Sequence, residues 1–139
     1  WSQKILDEIG IEYRSLGFIE DQKKLNLVYS CSDLFLFLSV QEAFGKTWAE
    51  AITCKTPVIC FKDTSASEII EHKKNGYIVE NFNAVNLKVG IEWLSDFQNN
   101  RIKLNENIDE KIKLFDPDII AQKYIKLYEE VLTIKKNNK

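Results

Sequence analysis

The sequence predicts an α/β domain: a doubly wound parallel sheet followed by a C-terminal helical extension. Three observations predict it. Leu34-Phe35-Leu36-Phe37-Leu38 is a continuous apolar run, and Val58-Ile59-Cys60-Phe61, preceded by Pro57, is a second. Between them Phe44, Trp48 and Ile52 recur every fourth residue, which is the stripe of a helix. Apolar runs without alternation suit strands covered on both faces, as in a parallel sheet. Strand, helix and strand in that order make a parallel crossover.

The same rhythm extends outward. Tyr13 to Phe18 reads as a strand of mixed pattern, and Asp21 to Ser32 as a helix that Asp21 caps. The central helix is predicted from Ala43 to Cys54. A short helix from Ser65 to Glu71 precedes the turn pair Asn75-Gly76, and Tyr77 to Val79 forms the next strand. Asn83 to Asp96 is amphipathic, with Leu87, Ile91 and Leu94 inward. The polar stretch Gln98-Asn99-Asn100-Arg101 breaks the pattern. Two helices then follow, about Ile102 to Leu114 and Asp118 to Ile134, with Asp116-Pro117 as the start signal of the last. The chain accordingly divides into a partial sheet domain, residues 1–98, and C-terminal helices, residues 99–139, that pack on it or return toward a further domain.

Composition narrows the function. The 139 residues are enough for one core, and a net charge of −2 leaves no basic footprint for nucleic acid. No apolar run approaches the roughly 18 residues of a membrane span. The opening residues carry charge throughout and lack the apolar segment of a signal peptide. Cys31, Cys54 and Cys60 each lie beside apolar residues and read as buried free thiols of a reducing compartment. No CxxC occurs and His72 is the sole histidine, so there is no zinc pattern. His72 and the pair Lys73-Lys74 read as a solvated turn, Trp48 as core, and Trp93 as packing for its own helix.

The segment that carries chemistry runs from Ser39 to Glu50. It begins where a buried strand ends and runs into a helix, at the sheet edge where open α/β folds bind ligands. Gly45 permits a close turn. The N–H groups of Phe44, Gly45, Lys46 and Thr47 then point outward at a helix start, a ready site for an anion or a hydroxyl. Glu42 lies in the loop and Glu50 inside the helix, so one carboxylate approaches a ligand from each.

From about Leu16 to Val79 the sequence resembles the C-terminal domain of the family-four glycosyltransferases, which have the GT-B fold. The matching pieces are LGFIED, YSCSDLFLFLS, QEAFGKTWAEAITCKTPVICF and SEIIEHKKNGYIV, with FDPDIIAQKYIKLYEEVL as the closing helix. Two glutamates with seven residues between them, Glu42 and Glu50, form the family's signature. The resemblance implies a Rossmann-like half-domain that binds a nucleotide diphosphate sugar in a retaining glycosyltransferase. It implies that Glu50 accepts hydrogen bonds from the ribose hydroxyls and that Glu42 approaches the donor sugar as the catalytic carboxylate. Phe44, Gly45, Lys46 and Thr47 would touch sugar hydroxyls and phosphate through their N–H groups. Phe18 and Ile19 would lie near the nucleobase. The family pattern needs no cofactor and no metal.

Three positions depart from that pattern. Ala43 replaces a frequent glycine, Thr64-Ser65-Ala66 stands where two glycines are common, and Lys55 occupies a glycine position after the helix. The family's diphosphate-holding Arg and Lys, and its acceptor-binding N-terminal domain, belong before Trp1. The resemblance therefore implies a fragment that is inactive alone, with the acceptor, a glycan or a lipid-linked sugar, bound elsewhere. It also implies a cytoplasmic protein with a possible peripheral membrane contact, to which Lys73 and Lys74 would contribute. The other reading of the same residues is a noncatalytic α/β module that binds a nucleotide or a protein.

Overall fold

A computed structural model describes residue 10 and residues 12–80, 82–96, 108–109 and 111–137. Its elements in order are α1 (Gln22–Ser30), β1 (Phe35–Phe37), α2 (Lys46–Thr53), β2 (Val58–Phe61), β3 (Gly76–Val79), α3 (Ala84–Asp96) and α4 (Pro117–Asn137). A 3-10 turn, Ser65–Glu68, lies between β2 and β3. The strands form a parallel sheet in the order β1-β2-β3, with Phe35 opposite Val58 and Val58 opposite Gly76. The α/β class, the parallel sheet and the C-terminal helix are those the sequence predicts.

β2 is central, and all four of its residues are buried. α2 covers β1 and β2 with Trp48, Ala51 and Ile52, each fully buried. A large apolar side chain such as Ile52 contributes about 1.5–3 kcal/mol when buried, so this face is a substantial part of the core. α1 begins as expected: the Asp21 carboxylate accepts from the N–H groups of Lys23 at 2.8 Å and Lys24 at 3.4 Å. β3 lies close against β2. A Cβ on Gly76 would stand 2.3 Å from the Val58 carbonyl oxygen, so only glycine fits there.

The end of α2 explains Lys55. The N–H of Thr56 reaches the Ala51 carbonyl and that of Lys55 the Ile52 carbonyl, both at 3.0 Å, which is the paired-bond helix stop usually built on glycine. Lys55 takes the left-handed conformation, φ 63°, in glycine's place.

Several elements differ from the expectation. Tyr13 to Phe18 forms no strand: Gly17 takes the left-handed conformation, φ 65°, and Phe18 is 89% exposed. Only Phe35–Phe37 of the Leu34–Leu38 run pairs, at the sheet edge, and Leu36 and Leu38 stay half exposed. α2 starts at Lys46 rather than Ala43, because Gly45 is left-handed, so Phe44 leaves the helical stripe. The helix expected from Ser65 to Glu71 is the shorter 3-10 turn. Most of the predicted helix Ile102 to Leu114 lies outside the described residues, as do Trp1 and the break at 98–101. Of its described part, Ile108 is buried and Ile112 packs on the core, as does Phe115 just beyond it. α4 is exposed along its described side chains. Cys60 is buried and Cys54 half-buried, but Cys31 is exposed because it caps the solvent end of α1; all three are free thiols.

Candidate functional site

The site begins where β1 ends. Residues 38–45 leave the sheet edge and return as α2, whose N-cap is Gly45 at φ 69°. A Cβ there would meet Phe37 Cζ at 2.7 Å and Trp48 Cδ1 at 3.2 Å. Glycine is thus required both by conformation and by space. The Phe44 carbonyl turns toward the protein, where two donors hold it at 2.5 Å each: the Trp48 indole N–H and the Ser65 hydroxyl. With that carbonyl latched, Lys46 and Thr47 stand in the first helical turn, where their N–H groups have no intrahelical acceptor. Both residues are exposed, as is Phe44.

The two carboxylates meet different surroundings. Glu42 is exposed in the loop, and its one described bond comes from the Ser39 hydroxyl at 3.2 Å. Glu50 is half-buried in α2 and accepts from the Tyr29 hydroxyl at 3.3 Å. Burial and the charge of Glu50 push the Tyr29 phenol up to about 12. Glu42 borders an open cleft of about 370 Å³ that Asp63, Thr64, Ser65 and Glu68 also line. Three carboxylates around one cleft favour hydroxyl donors over an anion. Phe18 and Ile19 line a separate open cavity of about 500 Å³ with Leu16 and Lys24, sharing no residue with the Glu42 cleft.

Residues 5–113 match the family described as glycosyl transferases group 1. The chain belongs to that family. It is 30% identical over 138 residues to N-acetyl-alpha-D-glucosaminyl L-malate synthase of Bacillus anthracis, covering 98% of this chain and 36% of the relative. It is 29% identical over 108 residues to N,N'-diacetylbacillosaminyl-diphospho-undecaprenol alpha-1,3-N-acetylgalactosaminyltransferase of Campylobacter jejuni, covering 78% of this chain and 28% of that one. Among solved structures, Anabaena HepE in complex with UDP-glucose superimposes with a TM-score of 0.75 at 24% identity, covering 93% of this chain and 36% of HepE. The chain thus spans about a third of the length of these proteins, and the match places its parallel sheet in a GT-B glycosyltransferase fold.

Asp63 and Glu68 are members of the site that the sequence does not mark, and Ser65 is marked there only as a departure from the family pattern. Ser65 sits in the departure from paired glycines, and its hydroxyl does work that no glycine could, fastening the Phe44 carbonyl. Its neighbour Asp63 adopts φ 61°, and the Thr64 hydroxyl bonds the Phe61 carbonyl at 2.8 Å, so the turn is built from side chains. The contact between Ser65 and Phe44, 21 residues apart, leaves no mark in the linear sequence.

His72 is exposed but tethered: its Nδ1 accepts from the Ile78 N–H at 3.2 Å, and its ring lies 4.5 Å from that of Tyr77. Lys74 pairs with Glu71 at 2.9 Å, and Lys73 lies 5.9 Å above the Tyr77 ring. Trp48 is core, as expected, and Trp93 packs at 5.6 Å on Tyr77. No described helix is long and apolar enough to cross a membrane.

Proposed function

We propose that this chain is the donor-binding part of a retaining glycosyltransferase, moving a sugar from a nucleotide diphosphate sugar to a glycan or lipid-linked acceptor. The observation that carries the reading is the β1–loop–α2 unit in a chain of this family. It combines an exposed loop carboxylate, a glycine-capped helix start with free N–H groups, and a half-buried carboxylate further along the helix. Glu50 accepts hydrogen bonds from the two ribose hydroxyls, for which an ionised carboxylate offers acceptors and no competing donor. Glu42 faces the sugar beside the acidic cleft, where hydroxyls are the favoured guests. The N–H groups of Gly45, Lys46 and Thr47 take the sugar-side phosphate, with the helix dipole behind them. Phe18 and Ile19 serve the nucleobase.

The leaving nucleoside diphosphate gathers negative charge as the glycosidic bond breaks. Fixed N–H donors and basic side chains stabilise it without a metal in this reading. The acceptor and the basic residues belong to other parts of the protein, as the third-length match to the relatives supports. The protein acts in the cytoplasm and touches the inner face of the membrane peripherally when its acceptor is lipid-linked. The Campylobacter relative, whose name includes a diphospho-undecaprenol, supports that acceptor class. HepE was solved with UDP-glucose, which puts UDP first among the nucleotides to test.

The test is calorimetry of the full-length protein with UDP, GDP and ADP. A hydrogen bond to a charged group is worth about 1.5–3 kcal/mol, so Glu50→Gln is expected to lower affinity roughly ten- to hundredfold. Glu42→Gln is expected to leave nucleoside diphosphate affinity unchanged and to reduce turnover, because its contact matters where charge develops at the anomeric carbon. A Glu50→Gln protein with a normal melt and undiminished affinity would remove the ribose assignment.

A further inference from the structure

We propose that Tyr29 is a positioning residue that sets the Glu50 carboxylate for the nucleotide ribose, an inference that rests on the ribose reading of Glu50 given above. A glutamate on a helix face has three side-chain torsions and wanders among rotamers unless something holds it. Here the Tyr29 hydroxyl donates to Glu50 Oε2 at 3.3 Å. Tyr29 is only 7% exposed, on the last turn of α1, which packs against α2.

Tyr29 is itself fixed twice. Its ring meets Phe35 of β1 edge-on at 5.5 Å. Its carbonyl accepts from the Thr56 hydroxyl at 2.6 Å, and Thr56 is 1% exposed just beyond the end of α2. One residue therefore ties α2 at Glu50 and again where the helix stops. The phenol remains a donor at every working pH, since its proton leaves only near 12. One carboxylate oxygen is engaged from inside, which leaves Oε1 for the hydroxyls of a ligand. The rotamer freedom of Glu50 is then lost on folding rather than on binding, which favours affinity.

The experiment is a cycle of Tyr29→Phe, Glu50→Gln and the double variant in the full-length protein. Each is titrated with UDP, GDP and ADP and with their 2′-deoxy forms, beside thermal melts. Tyr29→Phe keeps the ring contact with Phe35 and the carbonyl bond with Thr56, so the fold survives. Its expected result is a roughly three- to tenfold loss of affinity, seen with the ribonucleotide and much reduced with the 2′-deoxy form. In the Glu50→Gln background the same change is expected to add nothing. Equal losses for ribo- and deoxynucleotides would mean general support of the helix and overturn the proposal. Unchanged affinity in Tyr29→Phe beside a loss in Glu50→Gln would overturn it while the ribose reading stands. No loss in Glu50→Gln would bring down the ribose reading and this inference together.

Discussion

Glu50 and Glu42 belong to one strand–loop–helix unit, yet the fold treats them differently. Glu50 stands on a helix whose other face is core, half-buried and held by a tyrosine from a neighbouring helix. Glu42 stands in a loop, exposed, with a serine three residues away as its described partner. The difference matches the roles proposed for them. A carboxylate that recognises an invariant part of the donor gains from rigidity. One that meets a reacting sugar must follow a centre whose geometry and charge change during the reaction. The loop is nonetheless not free: its Phe44 carbonyl is latched to Trp48 and Ser65, just before the helix that carries Glu50.

The harshest way to break this comparison is to remove the residue that anchors the unit carrying both carboxylates, packing α2 into the core and holding the loop at Phe44. Trp48 is fully buried, lies 5.8 Å from the Phe115 ring and donates to the Phe44 carbonyl. Trp48→Ala is expected to cost about 3–5 kcal/mol through the cavity it leaves, measured as a large fall in melting temperature or denaturant midpoint. If the protein melts as before, the α2 face is not a substantial part of the core.

A gentler change separates the two sites. Ser65→Ala removes one of the two donors to the Phe44 carbonyl and leaves the indole in place. The expected loss of stability is about 0.5–1.5 kcal/mol. Turnover is expected to fall while nucleoside diphosphate affinity holds, because the loop loosens and α2 does not. An equal loss in both would show that the loop and the helix act as one body, and the comparison would fail.

The parts of this molecule legible in the sequence are those fixed by local chemistry. Val58-Ile59-Cys60-Phe61 announces a central strand, Asp21 a cap, and Trp48 and Ile52 a buried helix face, because apolar period and capping are local signals. The loop glycine and the spacing of the two glutamates were equally legible. Tyr13–Phe18 has a strand-like pattern and yet forms no strand, because a strand exists only through its neighbour and Gly17 adopts a left-handed φ of 65° that no strand continues through. The pattern sets the helix start too early because the Phe44 period continues through Gly45, and only backbone geometry shows that Gly45 is left-handed. The tie from Tyr29 to Glu50 and the latch from Ser65 to Phe44 span 21 residues each. Nothing in a linear pattern marks them.

His72 sharpens the distinction between exposure and freedom, and carries the smallest effect. Read from the sequence, it is a solvated turn residue; in the structure it is exposed and yet accepts a main-chain bond from Ile78 at Nδ1. Accepting there requires the neutral ring with its proton on Nε2. Burial first, and then the charge of Lys73, lowers its pKa below the ordinary value. The unfolded chain therefore binds this proton more readily, and stability rises with pH. The contribution is fully present above the unfolded value, about 6.5, and is lost as pH falls through the lowered folded value. Glu71 does not confuse the measurement, since Lys111 and Lys74 hold its carboxyl at about 2. Melts between about pH 8 and pH 5.5 are expected to show a loss of less than about 1 kcal/mol, because solvent screens so exposed a ring. His72→Asn, which keeps an acceptor for the Ile78 N–H but does not titrate, is expected to flatten that slope. A slope that survives the substitution would assign the pH dependence elsewhere and return His72 to the solvated turn.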